Sequence, residues 1–215
     1  MRKVLLIALV AMGTICAKAQ ITWNVKAGAG LSFITGLDDE GERKGKAVWK
    51  AGVGAEIPVT GNFMVMPSLE FAQKGMNWEY VGAEYGTGNT YQDKDNVTIN
   101  YLQIPVLGAY RINLGTVNMT LKLGPYFAYG LSGNTKSESI YGNQYTNDKY
   151  DLFDEENGGK RFDLGGIVGM DFEWRRIVLG LEYERGFTPL IKDKIDDIKC
   201  YNSSLFITIG YKFTL

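Results

Sequence analysis

The feature that most constrains this chain is a repeated two-residue alternation of apolar and polar side chains. In the first such segment Trp23, Val25 and Ala27 alternate with Asn24 and Lys26. Eight segments show the pattern, at about 22–35, 47–59, 63–71, 99–111, 117–131, 162–174, 177–184 and 204–213. Successive side chains of a strand point to opposite faces, so each segment is predicted to be a β-strand with one apolar and one polar face.

These segments have the length of tilted transmembrane strands, which need about 9–11 residues. They are rich in glycine and β-branched residues, which disfavour a helix. A chain that crosses a membrane with strands must close them into a ring, because every backbone group has to be paired there. We therefore predict an all-β fold, a transmembrane antiparallel up-and-down β-barrel of about eight strands.

The connections between the segments alternate in length. Long connections at about 36–46, 76–97, 132–161 and 188–201 are separated by short ones at 60–62, about 112–116 and 175–176. Outer-membrane barrels combine short periplasmic turns with long external loops. The order of lengths therefore predicts an outer-membrane barrel with both of its ends on the periplasmic side.

Aromatic residues cluster at the two predicted rims of the apolar face. The periplasmic group is Trp23, Phe63, Tyr110, Trp174, Tyr211 and Phe213, and the external group is Phe33, Trp49, Phe71, Tyr129, Phe162 and Tyr183. Two such girdles around an aliphatic band are typical of barrels that face lipid.

The amino-terminal residues have the pattern of a secretory signal peptide. Arg2 and Lys3 precede an apolar run that ends at Ile15, and the small residues Ala17 and Ala19 suit a signal peptidase. The run is too short to be a membrane anchor. Lipid attachment at Cys16 is disfavoured because Ile15 stands where a small residue is needed. We predict a cleaved signal peptide at residues 1–19 and a barrel domain at residues 20–215.

Composition excludes several classes of function. Removal of Arg2, Lys3 and Lys18 with the signal leaves 20 basic against 24 acidic residues, a net charge of −4, so no nucleic-acid partner is expected. Cys200 is then the only cysteine, and no disulfide is expected. The chain has no histidine, which excludes histidine-dependent triads and histidine metal sites.

Several ordered motifs resemble the PorT-type, or "porin family", outer-membrane β-barrel proteins of Bacteroidota. The motifs are Tyr101-Leu102-Gln103-Ile104-Pro105-Val106-Leu107, Leu123-Gly124-Pro125-Tyr126-Phe127, Phe162-Asp163-Leu164-Gly165, Leu179-Gly180-Leu181-Glu182-Tyr183-Glu184-Arg185-Gly186 and Gly210-Tyr211-Lys212-Phe213. Many barrels end with an aromatic residue, whereas this chain ends with Leu215. Phe213 lies two residues earlier and is expected to point outward like Leu215. The resemblance implies the fold and an outer-membrane location, and it supplies no catalytic residues to transfer.

Charged side chains dominate the face predicted to line the interior. They are Lys26, Lys50, Arg111, Lys122 and Lys212 with Glu56, Glu70, Asp163, Asp171, Glu173, Glu182 and Glu184. An eight-strand barrel is filled by its own side chains, and buried charges persist when they are paired. We expect a structural network of ion pairs, with acid/base catalysis or a proton path as the functional alternative. A glycosidase-like pair of Glu182 and Glu184 is disfavoured because a sugar cannot enter so narrow a barrel.

The long connections are predicted to be polar external loops. Asp93-Lys94-Asp95-Asn96 begins like a calcium-binding loop but lacks its glycine and terminal glutamate. Tyr141, Tyr145 and Tyr150 stand among small polar residues, as in adaptable recognition surfaces. The composition nevertheless favours a simple solvated loop over a recognition surface.

The sequence thus predicts a non-enzymatic outer-membrane barrel with a structural or loop-mediated interaction role in the cell envelope. The alternative is a small pore or a barrel subunit of a secretion or transport assembly. We expect no catalytic, cofactor-binding or metal-binding residues. The expected partners are outer-membrane lipid and lipopolysaccharide, the barrel-assembly machinery, and envelope proteins that contact the external loops.

Overall fold

Most of the chain is β-strand. The computed structural model describes residues 21–36, 42–83, 90–141, 144–154, 158–191 and 199–214, and the predicted signal peptide lies outside these ranges. The strands are β1 (Thr22–Thr35), β2 (Glu42–Lys44), β3 (Lys46–Thr60), β4 (Phe63–Ala83), β5 (Thr90–Asn113), β6 (Asn118–Tyr141), β7 (Gln144–Asp151), β8 (Phe162–Trp174), β9 (Ile177–Gly186) and β10 (Tyr201–Thr214). Within the described ranges no helix has the length and apolar character needed to cross a membrane.

Eight of these strands form a closed antiparallel ring. Their order around the ring is β1, β3, β4, β5, β6, β8, β9, β10 and again β1, so each wall strand lies beside the next wall strand in sequence. β1 and β10 pair along their whole length, from Thr22 with Thr214 to Thr35 with Tyr201. The predicted up-and-down barrel of eight strands is confirmed.

Short turns join the wall strands at the periplasmic end, as predicted. Gly61 (φ 52°) lies between β3 and β4, and Gly115 (φ 91°) lies between β5 and β6. Arg175 (φ 59°) takes a left-handed conformation in the two-residue turn between β8 and β9. A glycine or an asparagine would adopt that conformation with less strain.

The connections at 76–97 and 132–161 were predicted to be loops, and this prediction is wrong where the structure has strands. β4 continues to Ala83, β5 begins at Thr90, β6 continues to Tyr141, and β7 then folds back along β6. β2, inside the connection predicted at 36–46, pairs with residues 77–79 of β4. We call β2, β7 and residues 77–83, 90–98 and 132–141 the external sheet. Its strand order is β2, β4, β5, β6 and β7.

The two faces of the wall strands have the predicted register. On β6 the Leu123 side chain is 69% exposed toward the lipid side, whereas Lys122 is 4% exposed and points inward. Trp49 stacks on Phe71 at the external rim with ring centroids 5.1 Å apart, and Phe63 contacts Tyr110 at the periplasmic rim at 4.7 Å. These contacts place both aromatic girdles on the outer face of the barrel.

Candidate functional site

The barrel interior contains a continuous layer of buried ion pairs, centred on Lys50. Its Nζ lies 2.9 Å from Glu184 Oε1 and 3.3 Å from Glu70 Oε2, and it also contacts Glu182. β3 supplies the lysine, β4 supplies Glu70, and β9 supplies the other two acids, so strands on opposite sides of the barrel meet here. The predicted interior network is therefore present.

Two further lysines complete the central group. Lys26 Nζ lies 2.8 Å from Glu70 Oε1 and 3.1 Å from Glu182 Oε1. Lys122 Nζ lies 2.7 Å from Glu182 Oε1 and 2.6 Å from Asp171 Oδ1. Each carboxylate is thus neutralised by the ammonium groups around it, as a buried charge requires.

Three of these acids are spaced as metal ligands would be. One oxygen each of Glu70, Glu182 and Glu184 lies within 4.8 Å of the other two. The Lys50 ammonium contacts all three carboxylates and so supplies the cation of the cluster. The geometry favours an internal ion pair over a metal centre. Glu182 and Glu184 are both paired with lysines. The acids of a glycosidase pair must instead exchange protons with a substrate.

A second group of ion pairs closes the periplasmic half of the interior. Lys212 Nζ lies 2.5 Å from Glu56 Oε1 and 2.7 Å from Glu173 Oε2. Arg111 pairs with the same two acids, at 2.5 Å and 3.6 Å, and its side chain is 32% exposed. Between the two groups lies a cavity of about 30 Å³ whose lining includes Asn24, enough for about one water molecule.

A third polar group near the external end was not predicted. Lys74 Nζ lies 3.0 Å from Glu184 Oε2 and 4.0 Å from the centroid of the Tyr126 ring. Tyr126 Oη donates a hydrogen bond to Asp163 Oδ2 at 3.0 Å, and Asn202 Nδ2 donates to the same oxygen at 2.9 Å. Among these residues the sequence predicts an interior position for Asp163 and Glu184 only. The two-residue alternation could have identified Lys74, because it lies four residues beyond Glu70 and therefore on the same inward face of β4.

Above this polar group the external mouth is filled by apolar side chains. Phe153, from the segment after β7, packs beside Gly130 and Gly133, and Arg161 stacks over its ring at 4.5 Å. The buried residues of this mouth cluster are Ile34, Met76, Ile99, Phe153, Leu190 and Cys200. A segment predicted to be a solvated loop therefore seals the barrel.

The external sheet ends in a free edge. β7 pairs on one side with β6 and on the other side with no strand of the described chain. Tyr145 is 60% exposed on β7, and Tyr150 on the same strand is also exposed. The tyrosine-rich segment is thus an ordered strand, and the side chain of Tyr141 lies outside the described residues.

The segment that begins like a calcium loop is part of β5. Asp93 and Asp95 point to one face of the strand, and Lys94 and Asn96 point to the other. Lys94 Nζ lies 3.4 Å from Glu79 Oε1, and Lys44 Nζ lies 2.6 Å from Glu79 Oε2. The hydrogen bond from Lys44 is the main cause that lowers the pKa of Glu79 to about 2. This part of the sheet is joined by ion pairs and does not encircle a cation.

Comparison with known proteins gives likenesses to outer-membrane barrels. Ail of Yersinia pestis, solved with the heparin analogue sucrose octasulfate, is 18% identical, with 90% of this chain and 99% of that chain covered and a TM-score of 0.43. A major outer membrane protein of Thermus thermophilus is 14% identical, with 90% and 99% covered and a TM-score of 0.46. Neisserial surface protein A is 10% identical, with 89% and 97% covered and a TM-score of 0.41.

No curated protein sequence matches this chain significantly. Residues 18–192 match the family model described as the outer membrane protein beta-barrel domain, which is most of the chain.

Proposed function

Because this chain belongs to the outer membrane protein beta-barrel domain family, we propose that it acts in the outer membrane without catalysis, as a scaffold that presents its external sheet to envelope partners. The observation that carries the proposal is the free edge of β7, at the end of a sheet that continues from the barrel wall. An edge strand offers unpaired N–H and C=O groups along one side. A partner strand binds such an edge through main-chain hydrogen bonds and gains specificity from neighbouring side chains.

The surroundings of the edge suit recognition. Tyr145 and Tyr150 supply large, partly polar contact surfaces with few rotatable bonds, and Asn147 supplies an amide that bonds Tyr145 Oη at 3.2 Å. The partner we propose is a protein of the cell envelope that contributes an extended segment. Lipid and lipopolysaccharide would contact the apolar wall, and the barrel-assembly machinery would insert it.

The non-catalytic part of the proposal is supported by the interior. Its acids and amines neutralise each other at hydrogen-bond distances, and the cavity among them has a volume of about 30 Å³. That volume admits a water molecule but no organic substrate. The alternative of a small pore has less support, because the mouth cluster and the ion pairs occupy the route that a solute would take. A subunit of a transport assembly would use the same β7 edge.

Crosslinking in intact cells tests the proposal. A photoreactive benzoylphenylalanine replaces Tyr145 on β7, and as a matched control it replaces Tyr129, which is 54% exposed on the lipid side of the wall. We expect discrete protein adducts from position 145 and none of the same mass from position 129. Identical adducts from both positions, or none from position 145, would contradict a partner at the β7 edge.

A further inference from the structure

A row of lysines and asparagines crosses the outward face of the external sheet. Cross-strand pairing aligns Lys44 with Asn77, Asn77 with Asn96, Asn96 with Lys136, and Lys136 with Lys149. Paired residues of antiparallel strands project to the same side, and strands lie about 4.8 Å apart. The five side chains therefore form one continuous line, which we call the lysine row.

Two members of the row repel each other. Lys136 on β6 and Lys149 on β7 are directly opposite, an arrangement in which like charges destabilise a sheet. Within the part of the chain that the structure describes, neither ammonium has an acid within ion-pair distance. A bound anion between the two lysines would turn this repulsion into attraction.

A fourth lysine, Lys46, reaches the row from β3. The Lys46 side chain passes over Gly75, where an added Cβ would lie 3.2 Å from Lys46 Cδ, and its ammonium donates a hydrogen bond to Asn96 Oδ1. Burial and the neighbouring charge of Lys136 lower the pKa of Lys46. The repulsion shows that the Lys46 and Lys136 ammonium groups lie near each other beside Asn96.

Most of the acids on this face are already engaged. Glu79 is shared by Lys44 and Lys94. Glu138 stands opposite Lys94 in the register and forms no ion pair within the described residues. The Asp151 carboxylate accepts a hydrogen bond from the backbone N–H of Phe153 at 2.9 Å. Counting the side chains that the structure describes, Lys136 and Lys149 are left facing outward without an acid opposite, whereas Lys46 is buried and donates its hydrogen bond to Asn96.

The central asparagines add neutral donors. Asn96 Nδ2 donates to Asn77 Oδ1 at 2.7 Å, which fixes both amides side by side. The groove over them has a volume of about 440 Å³ and is lined by three lysines (Lys44, Lys94 and Lys136) and three acids (Glu79, Asp95 and Glu138). Lys149 extends the row beyond the Lys136 end of this groove. That is within the range of small-ligand sites, about 300–1,000 Å³. Fixed amides between ammonium groups are suited to the several oxygens of a phosphate or a sugar phosphate.

We propose that the lysine row binds a saccharide that carries clustered phosphate groups. The row lies on the same side of the sheet as the lipid-facing residues, and Asn77 is six residues beyond Phe71 of the external girdle, about 20 Å along β4. Phosphates reach this height on the headgroup of a glycolipid in the outer leaflet or on a free phosphorylated sugar. The shared chemistry is a polyphosphate held by Lys136 and Lys149, with the positive charge of the buried Lys46 beside them.

Titration calorimetry with inositol hexakisphosphate tests the site, using the full-length mature protein in phosphatidylcholine nanodiscs. We expect saturable binding that weakens steeply with salt, because the contacts are between charges in water. The double variant K136Q/K149Q should bind at least about tenfold more weakly. It should remain folded, because it removes a like-charge pair. The variant E138Q should bind more tightly, because it removes an acid that lines the groove.

The matched control removes two positive charges at the opposite end of the molecule, as R175N/R176Q, and it should bind like the wild type. Nanodiscs that contain a lipopolysaccharide with phosphate groups on its core sugars distinguish the two sources, because the phosphates of lipid A itself lie at the level of the aromatic girdle. A glycolipid ligand would occupy the row and lower the wild-type affinity for inositol hexakisphosphate, whereas a free sugar phosphate predicts the same affinity in both discs. No saturable binding by the wild type in phosphatidylcholine discs, or equal binding by K136Q/K149Q and the control, would overturn the proposal.

Discussion

At the scale of single residues, the interior depends on one ammonium group. Lys50 is 1% exposed and contacts Glu70, Glu182 and Glu184. Within the described interior no other side chain contacts all three of these acids. Removing one partner of a buried ion pair leaves an uncompensated charge, and this costs more than the pair contributes. Arg111 differs because its side chain is 32% exposed, so water can solvate the acids that it leaves behind.

The first prediction compares these two cations. Lys50→Met should lower the free energy of unfolding by about 3–5 kcal/mol, since three buried carboxylates lose a shared partner. Arg111→Ala should cost distinctly less. Urea-induced unfolding in lipid or detergent measures both values. An equal loss for the two variants would mean that the centre of the interior is hydrated.

The second prediction concerns the two faces of β6. Leu123→Arg places a charge on the lipid side near the middle of the wall and should destabilise the barrel by about 2–4 kcal/mol. Lys122→Arg retains the charge beside Glu182 and Asp171 and should have a smaller effect. The same unfolding measurement ranks the two, and the reverse order would show a register shifted by one residue.

At the scale of elements, the wall strands could be predicted and the external sheet could not. A wall strand has lipid on one side and ion pairs on the other, so its sequence alternates strictly. The external part of β5 has polar residues on both faces, as in Asp93, Lys94, Asp95 and Asn96, and without alternation it resembles a loop. For the same reason the third predicted segment ends at Phe71, and Lys74 was therefore not predicted to lie in the interior. The mouth cluster was missed because Leu152 and Phe153 stand alone in a polar stretch.

The third prediction concerns the pairing of β2 with β4. The pKa of Glu79 is lowered from 4.5 to about 2, so the ionised form is favoured in the folded protein. The contribution of Glu79 to stability is therefore present above pH 4.5 and is lost as the pH falls toward 2. The carbon NMR signal of its carboxyl group should titrate near pH 2, and Lys44→Gln should move that midpoint upward. A wild-type midpoint near 4.5 would show that Lys44 does not hold the carboxylate.

At the scale of the whole molecule, the barrel is closed at three levels: the periplasmic ion pairs, the central ion pairs and the mouth cluster. Side chains of an eight-strand barrel fill its interior. The sequence predicted the first two levels through the charged inward residues. The third depends on a long-range contact of Phe153 with the rim, which local patterns do not reveal.

The fourth prediction is that the purified wild type conducts ions poorly. Planar-bilayer recordings should show no large and steady open state of the kind formed by a 16-strand porin. Phe153→Ala alone should leave this unchanged, because both layers of ion pairs remain. A reproducible channel on the order of a nanosiemens from the wild-type monomer, about the scale of wide porins, would favour the pore over the scaffold.

The pairing of β1 with β10 also governs the order in which the protein can assemble. The ring cannot close until β10 has been synthesised and has travelled to β1, because these two strands are hydrogen-bonded along their whole length. Contacts between residues so far apart in sequence form slowly. Until closure the incomplete sheet has two open edges that are able to pair with other chains. A chain in transit to the membrane must therefore be kept apart from its copies, and a protein that lacks β10 should aggregate rather than insert.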